Sequence, residues 1–177
     1  MQKERKVAHF EQSALPHLGA AYNLARWLLR NPADAEDVVQ ESYLRAFRFF
    51  GGYQGGDGRA WLLKIVRNTA YTWLQHNRSR ELAEPFNDEI EEIEDHAFNP
   101  ETLVIQAAGI AALRKALDEL PIEFREVMVL RELEGFSYKE ISAIVEIPIG
   151  TVMSRLARAR KRLQEQLTDF SKEGVSN

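Results

Sequence analysis

Apolar residues recur along most of this chain at the spacing of an α-helix, about 3.6 residues per turn. Leu18, Tyr22, Ala25, Leu28 and Leu29 fall on one face, and Val38, Val39, Tyr43, Ala46, Phe47 and Phe50 on another. Asn31-Pro32 separates the two sets, so the pattern predicts two amphipathic helices with a break between them. A third follows the stretch Gly51 to Gly58 and carries Trp61, Leu62, Ile65, Val66, Thr69, Ala70, Trp73 and Leu74, with the pattern failing from about Asn77.

The second half repeats the theme. Asn99-Pro100-Glu101 reads as a helix start, and a helix from Pro100 to about Glu119 is closed by Pro121. Phe124, Val127, Met128, Leu130 and Leu133 mark the inward face of another, ended by Gly135 as a C-terminal glycine can. Ser137-Tyr138-Lys139-Glu140 has the spacing of a capping box, opening a helix whose inward residues are Ile141, Ile144 and Val145. The short run Glu146-Ile147-Pro148-Ile149-Gly150 predicts a turn. From Thr151 a last helix places Val152, Leu156, Ala159 and Leu163 in one stripe. Helix, tight turn, helix is the outline of a helix-turn-helix unit, and the fold class expected is all-α.

Composition then divides the chain. At 177 residues and 45% hydrophobic content it can build real cores, and its lack of cysteine removes disulfides and thiolate metal sites, which suits a reducing compartment. The polar stretch Met1 to Val7 has no apolar run behind it, and no run reaches the length a membrane helix needs, so neither export nor membrane insertion is expected. Cytoplasmic residence follows. The net charge of −4 is misleading, because nine of the 27 acidic residues lie between Glu81 and Glu101 with no Lys or Arg among them; the other 23 basic and 18 acidic residues leave +5. With Pro85 and Pro100, that segment reads as an acidic, mobile linker. The expected organisation is a helical domain at 8–80, a linker at 81–99, a helix-turn-helix domain at 100–168 and a tail at 169–177.

Two basic surfaces carry the candidate chemistry. The outer face of the last helix holds Thr151, Ser154, Arg155, Arg158 and Arg162, hydroxyls and planar cations that can bond to base edges and phosphates in a major groove. The early ones, Ser154 and Arg158 above all, suit base reading; Arg160, Lys161 and Arg162 lie farther along and suit phosphate or protein contacts. Between Arg59 and Arg80 there are Arg59, Lys64, Arg67, Arg78 and Arg80, no carboxylate, and the rings of Trp61, Tyr71, Trp73 and His76. Cations with aromatic surfaces suit single-stranded nucleic acid; the bland alternative is that Trp61 and Trp73 are core. The glycine stretch lacks the Gly-Lys-Ser/Thr ending of a phosphate loop and reads as a flexible connector. His9, His17, His76 and His96 are scattered without metal-ligand spacing, so no metal, cofactor, catalytic residue or enzymatic activity is expected.

Three segments then carry a resemblance: Asp34-Ala-Glu-Asp-Val-Val-Gln-Glu-Ser-Tyr-Leu-Arg-Ala-Phe-Arg48, Arg59-Ala-Trp-Leu-Leu-Lys-Ile-Val-Arg-Asn68, and Gly150-Thr-Val-Met-Ser-Arg-Leu-Ala-Arg-Ala-Arg160. Together and in this order they resemble the signature segments of bacterial extracytoplasmic-function (ECF) sigma factors, across about Leu15 to Leu167. Members often carry a basic residue at the place of Met153 and an acidic one at that of Thr72. The resemblance implies that the first domain is region-two-like, with Asp34, Asp37, Gln40 and Glu41 meeting core RNA polymerase, and Lys64, Arg67, Asn68 and Tyr71 meeting the melted minus-ten element. It implies that the second is region-four-like, placing Thr151, Ser154, Arg155, Arg158 and Arg162 on the minus-thirty-five element. An anti-sigma factor is implied as a further partner. The charges agree: Asp34, Glu36, Asp37 and Glu41 suit a protein rather than DNA, the acids lying opposite an apolar face expected to hold Val38, Val39 and Leu44, and the amide of Asn68 suits base edges. Two rival readings are a helix-turn-helix regulator acting without polymerase, which leaves the first domain unexplained, and a sigma-mimicking decoy, which has no need of both basic patches.

Overall fold

The computed structural model describes residues 1–77 and 109–174. Among these the regular structure is entirely helical. The acidic segment at 81–99, the helix start at Asn99-Pro100, and Arg78 and Arg80 lie outside the described residues.

Four helices build the first domain: α1 (Gln2–Ala14), α2 (Leu18–Leu29), α3 (Pro32–Phe49) and α4 (Gly58–Asn77). The α1 helix was not legible as such, because only Phe10 and Ala14 of its 13 residues are buried and most of the rest is polar. It extends the domain ahead of residue 8 and packs on α4. The Tyr43 hydroxyl donates to the Ala14 carbonyl at 2.8 Å, and burial pushes its pKa up to about 12. Between α2 and α3, Arg30 takes the left-handed conformation that ends a helix, and the Asn31 side chain accepts from the N–H groups of Ala33 and Asp34. Pro32 sits in the first turn, where a missing N–H costs nothing.

α2, α3 and α4 enclose one core of Leu24, Leu28, Leu29, Val38, Leu62, Leu63 and Val66, all nearly inaccessible. Each such side chain contributes about 1.5–3 kcal/mol relative to an exposed one. The connector before α4 is tied down rather than loose: Tyr53 stacks on Phe50, both meet Trp61, and Asp57 caps the N–H groups of Arg59 and Ala60.

In the second domain, α5 (Gly109–Glu119) precedes α6 (Ile122–Met128), which continues into a π-turn at Val129–Leu133. That wider turn shifts the helical phase. Val129 and Leu130 stay inside, whereas Leu133, expected to face inward, is 52% exposed; Phe136 fills the core instead. Gly135 follows at φ +70°, the left-handed value that glycine adopts without strain.

The capping box forms as expected: Ser137 Oγ accepts from the Glu140 N–H and Glu140 returns the bond to the Ser137 N–H, both at 3.1 Å, starting α7 (Tyr138–Val145). α7 ends at Glu146, which sits at φ +60° without being glycine, a strain of roughly 1–2 kcal/mol. α8 (Ile149–Gly174) begins two residues before Thr151 and runs through most of the stretch expected to be tail. Val152, Leu156, Ala159 and Leu163 are all buried, as their spacing predicts.

The two halves pack together, α4 on α7 and α2 on α6. Arg125, only 3% exposed, donates to the carbonyls of Asp118 and Leu120 in its own half and to Leu28 in the other. The Arg30 guanidinium also bonds to the Asp118 carbonyl.

Candidate nucleic-acid interface

Three surfaces follow from this architecture. On α3, Asp37, Gln40 and Glu41 are exposed along one stripe, with Glu41 accepting from Arg45 Nε at 2.9 Å; Asp34 is half-buried in the first turn. Leu44, which the apolar pattern placed with Val38 and Val39, is instead 65% exposed. One helical turn beyond Glu41 at i+3, it adds an apolar contact to the acidic stripe. The helix period had placed it near the boundary of the buried face, and only packing decided its side.

α4 presents Arg59, Lys64, Arg67, Asn68 and Tyr71. Asn68 is exposed and its Oδ1 accepts from Arg67 at 3.3 Å. The cations are all engaged by the second domain. Arg67 grips Glu126 with two bonds, Nε at 2.9 Å and Nη2 at 3.3 Å, and lies 4.0 Å over the Tyr71 ring. Lys64 Nζ pairs with Glu146 at 2.9 Å. Arg59 donates to the Glu134 carbonyl at 2.8 Å, has the Glu134 carboxylate at 3.6 Å and stacks 4.1 Å over Phe136. Asn23 of α2 also donates to the Glu134 carboxylate at 3.1 Å. Trp61 and Trp73 are half-buried against the core, which favours the packing role for both.

Glu126 is fully buried. Burial raises its pKa, while the bonds and charge of Arg67 oppose that shift, and Arg155 of α8 contributes in the same sense as Arg67. Burial likewise pushes the Tyr71 phenol well above its usual value, assisted by the Glu126 charge. Glu146 is held below the ordinary carboxylate range by its bond to Lys64.

On α8, Thr151, Ser154, Arg155 and Arg158 are half-buried, Met153 is 51% exposed, and Arg162 is exposed. Ser154 Oγ donates to the Thr151 carbonyl at 3.1 Å. Arg160 is bound to Glu132 at 2.8 Å within its own domain, and Arg162 lies 5.0 Å over Phe124. α8 packs chiefly on α5, α6 and α7. The predicted α8 residues therefore share one helix, and those of α4 form a second cluster. The acids that meet α4 carried one signal in the sequence: Glu126, beside Arg125, interrupts the apolar run from Phe124 to Leu130.

Both halves match known families over most of their length: residues 15–80 match the model for Sigma-70 region 2, and residues 110–163 the model for Sigma-70, region 4. The chain is 34% identical over 145 residues to the ECF RNA polymerase sigma-E factor of Salmonella typhimurium, covering 76% of this chain and 74% of that one. It belongs to the ECF sigma factors. It is also 36% identical to the ECF RNA polymerase sigma factor SigE of Mycolicibacterium smegmatis, covering 92% of this chain and 66% of that relative's length. Among solved structures it is similar to the sigma factor RpoE from Bartonella quintana, determined in complex with the anti-sigma factor NepR. The TM-score is 0.69 at 32% identity, covering 90% of this chain and 97% of that one. ECF sigma factors direct RNA polymerase to promoters and as a family are regulatory initiation factors rather than enzymes.

Proposed function

We propose that this sigma factor divides its work among the three surfaces. The exposed α3 stripe of Asp37, Gln40, Glu41 and Leu44, with Asp34 at its head, docks core RNA polymerase. α4 engages the melted minus-ten strand, with Arg67 and Lys64 on the backbone, Tyr71 as a stacking ring and Asn68 at a base edge. α8 lies in the major groove of the minus-thirty-five element, with Ser154 and Arg158 reading bases and Thr151, Arg155 and Arg162 setting its position. The functional domains are 8–80 and 100–168, extended at their ends by α1 and the end of α8, and joined by 81–99. No step requires a metal or a catalytic group of the chain's own.

The observation that carries this reading is the match of both halves to sigma regions, with cations and a base-reading amide on the helix assigned to the single strand. An anti-sigma factor is a further partner, by similarity to the RpoE of the NepR complex, and the compartment is the cytoplasm, where polymerase and promoters are. Run-off transcription with core polymerase on genomic promoter fragments tests the whole. The chain should confer promoter-specific initiation, and Asn68→Ala should lower it on duplex promoters and reduce discrimination on single-stranded minus-ten DNA. A folded chain that binds DNA but never core polymerase overturns the reading in favour of an ordinary regulator.

A further inference from the structure

Two of the large apolar side chains that stand exposed among the described residues, Ile149 at 44% and Met153 at 51%, sit one turn apart at the head of α8. A single exposed apolar residue is ordinary on a protein surface. A pair at i and i+4 is a continuous apolar surface, and half-buried Ala157 extends it by a further turn. This surface is separate from the core stripe of Val152, Leu156, Ala159 and Leu163, all of which are buried.

Its neighbours define what it can meet. At about 100° of rotation per residue, Ile149 and Met153 fall on one flank of the outward face, Thr151, Arg155 and Arg158 on the other, and Gly150 and Ser154 between them. Gly150 is exposed, a Cβ added there would meet nothing within 4 Å, and its φ is not positive. Neither packing nor backbone conformation within the chain requires glycine at that place. A bare backbone in the middle of the face does allow the floor of a groove to come close.

The polar flank suits base edges and phosphates. The apolar flank needs an apolar counterpart, and the major groove displays one, the C5-methyl of thymine. The Met153 thioether is flexible and polarizable, donates no hydrogen bond and accepts only weakly, so it packs on a methyl and gives nothing to an amino edge. Cytosine presents such an amino group and no methyl, and burying the pair against it leaves that donor without a partner.

We propose that Ile149 and Met153 form an apolar subsite for the C5-methyl of thymine, so that this sigma factor selects minus-thirty-five elements with a thymine next to the bases read by Ser154 and Arg158. This rests on the reading of α8 as the major-groove helix and adds a base preference that its hydroxyls and arginines do not supply.

The test uses holoenzyme reconstituted from the full chain and core polymerase. A duplex pool randomised over the minus-thirty-five segment is selected for binding. Each thymine of the preferred duplex, on either strand, is then replaced singly by deoxyuridine, which removes the methyl and keeps every hydrogen-bonding edge. At one or two positions the replacement should cost about threefold to fivefold in affinity, the worth of one buried methyl. With Ile149→Ala/Met153→Ala the thymine and uracil duplexes should bind equally, whereas with Arg158→Ala the difference between them should persist. Both substituted apolar side chains are exposed, and circular dichroism checks that the double variant keeps its helicity. A preferred sequence without thymine, a uracil series without loss, or a loss that survives in the double variant overturns the proposal. So does a double variant that assembles poorly with core polymerase while its thymine-to-uracil ratio is unchanged, because the pair then docks protein. A selection that returns no preferred minus-thirty-five sequence overturns the reading of α8 itself, and the subsite with it, so the two failures are distinguishable.

Discussion

α4 and α8 are both helices on which arginine and polar side chains share a face, yet the cations of the first end on carboxylates of the other half, whereas the second packs mainly within its own bundle. Arg59, Lys64 and Arg67 each end on a carboxylate of the other domain, whereas α8 packs against α5, α6 and α7 and shows Met153, Lys161 and Arg162 to solvent. Side-chain chemistry and helical spacing describe what a face can bind; they do not say what occupies it. The occupants here are glutamates, some 60 to 80 residues farther along the chain, that mean nothing until the halves meet.

The difference is most sharply tested at Arg67 and Glu126. Removing one partner leaves the other's charge in a site with little water, so Glu126→Ala should cost about 3–5 kcal/mol of stability in urea denaturation of the free chain. Arg67→Met/Glu126→Met should cost clearly less than either single change. A double variant as destabilised as the sum of its singles would mean that the pair is not the coupling element. The opposite helix should respond in binding rather than in stability. Arg158→Ala should lose about 1–3 kcal/mol on the preferred duplex and relax its preference there, whereas Lys161→Ala should weaken all duplexes alike and lower the salt slope by about one. Titrations at several salt concentrations separate the two; a uniform loss for Arg158→Ala makes it a positioning contact.

A third surface sharpens the contrast, because the α3 stripe is exposed. Leu44→Asp should weaken core-polymerase binding by more than about 1 kcal/mol if it is an apolar anchor, and Asp37→Lys/Glu41→Lys should do so without loss of helicity. Unchanged polymerase affinity in either folded variant removes the stripe from the interface.

The smallest expected effect is on pH dependence, where the two interface glutamates act in opposite directions. Glu126 has a raised pKa with the halves docked, so its contribution to docking is present below the ordinary glutamate value and is lost as pH rises through the raised one. Glu146 has a lowered pKa, so its contribution is present above the ordinary value and is lost as pH falls through the lowered one. Glu126→Gln should therefore flatten the upper limb of an interdomain-distance titration and leave the lower limb in place. Loss of both limbs together would show that one group governs the transition.

Much of this fold was legible because it depends on local rules: the break at Asn31-Pro32, the Ser137 capping box and the α8 stripe all follow from residue type and spacing. Three features were not. α1 has too few apolar positions to show a period, since it covers a core built by others. Leu133 and Leu44 lie near edges of apolar faces, where a small change of helical phase decides between inside and outside. The covering of α4 depends on pairings such as Arg67 with Glu126, 59 residues apart, and no local pattern encodes them. The candidate residues themselves were legible as chemistry, and the docking of the halves added which of them pair with a carboxylate of the other half.

The π-turn at Val129–Leu133 can also be understood as a vernier. A turn closed five residues back contains one residue more than an α-turn, and each residue rotates the chain beyond it by about 100°. Deleting a single residue there would leave a regular helix of nearly the same length and composition, while swinging Glu134 away from Arg59 and Asn23. A one-residue gap at this point in related chains would thus mark a change in which direction the helix-turn-helix faces, with little change in either domain's own core.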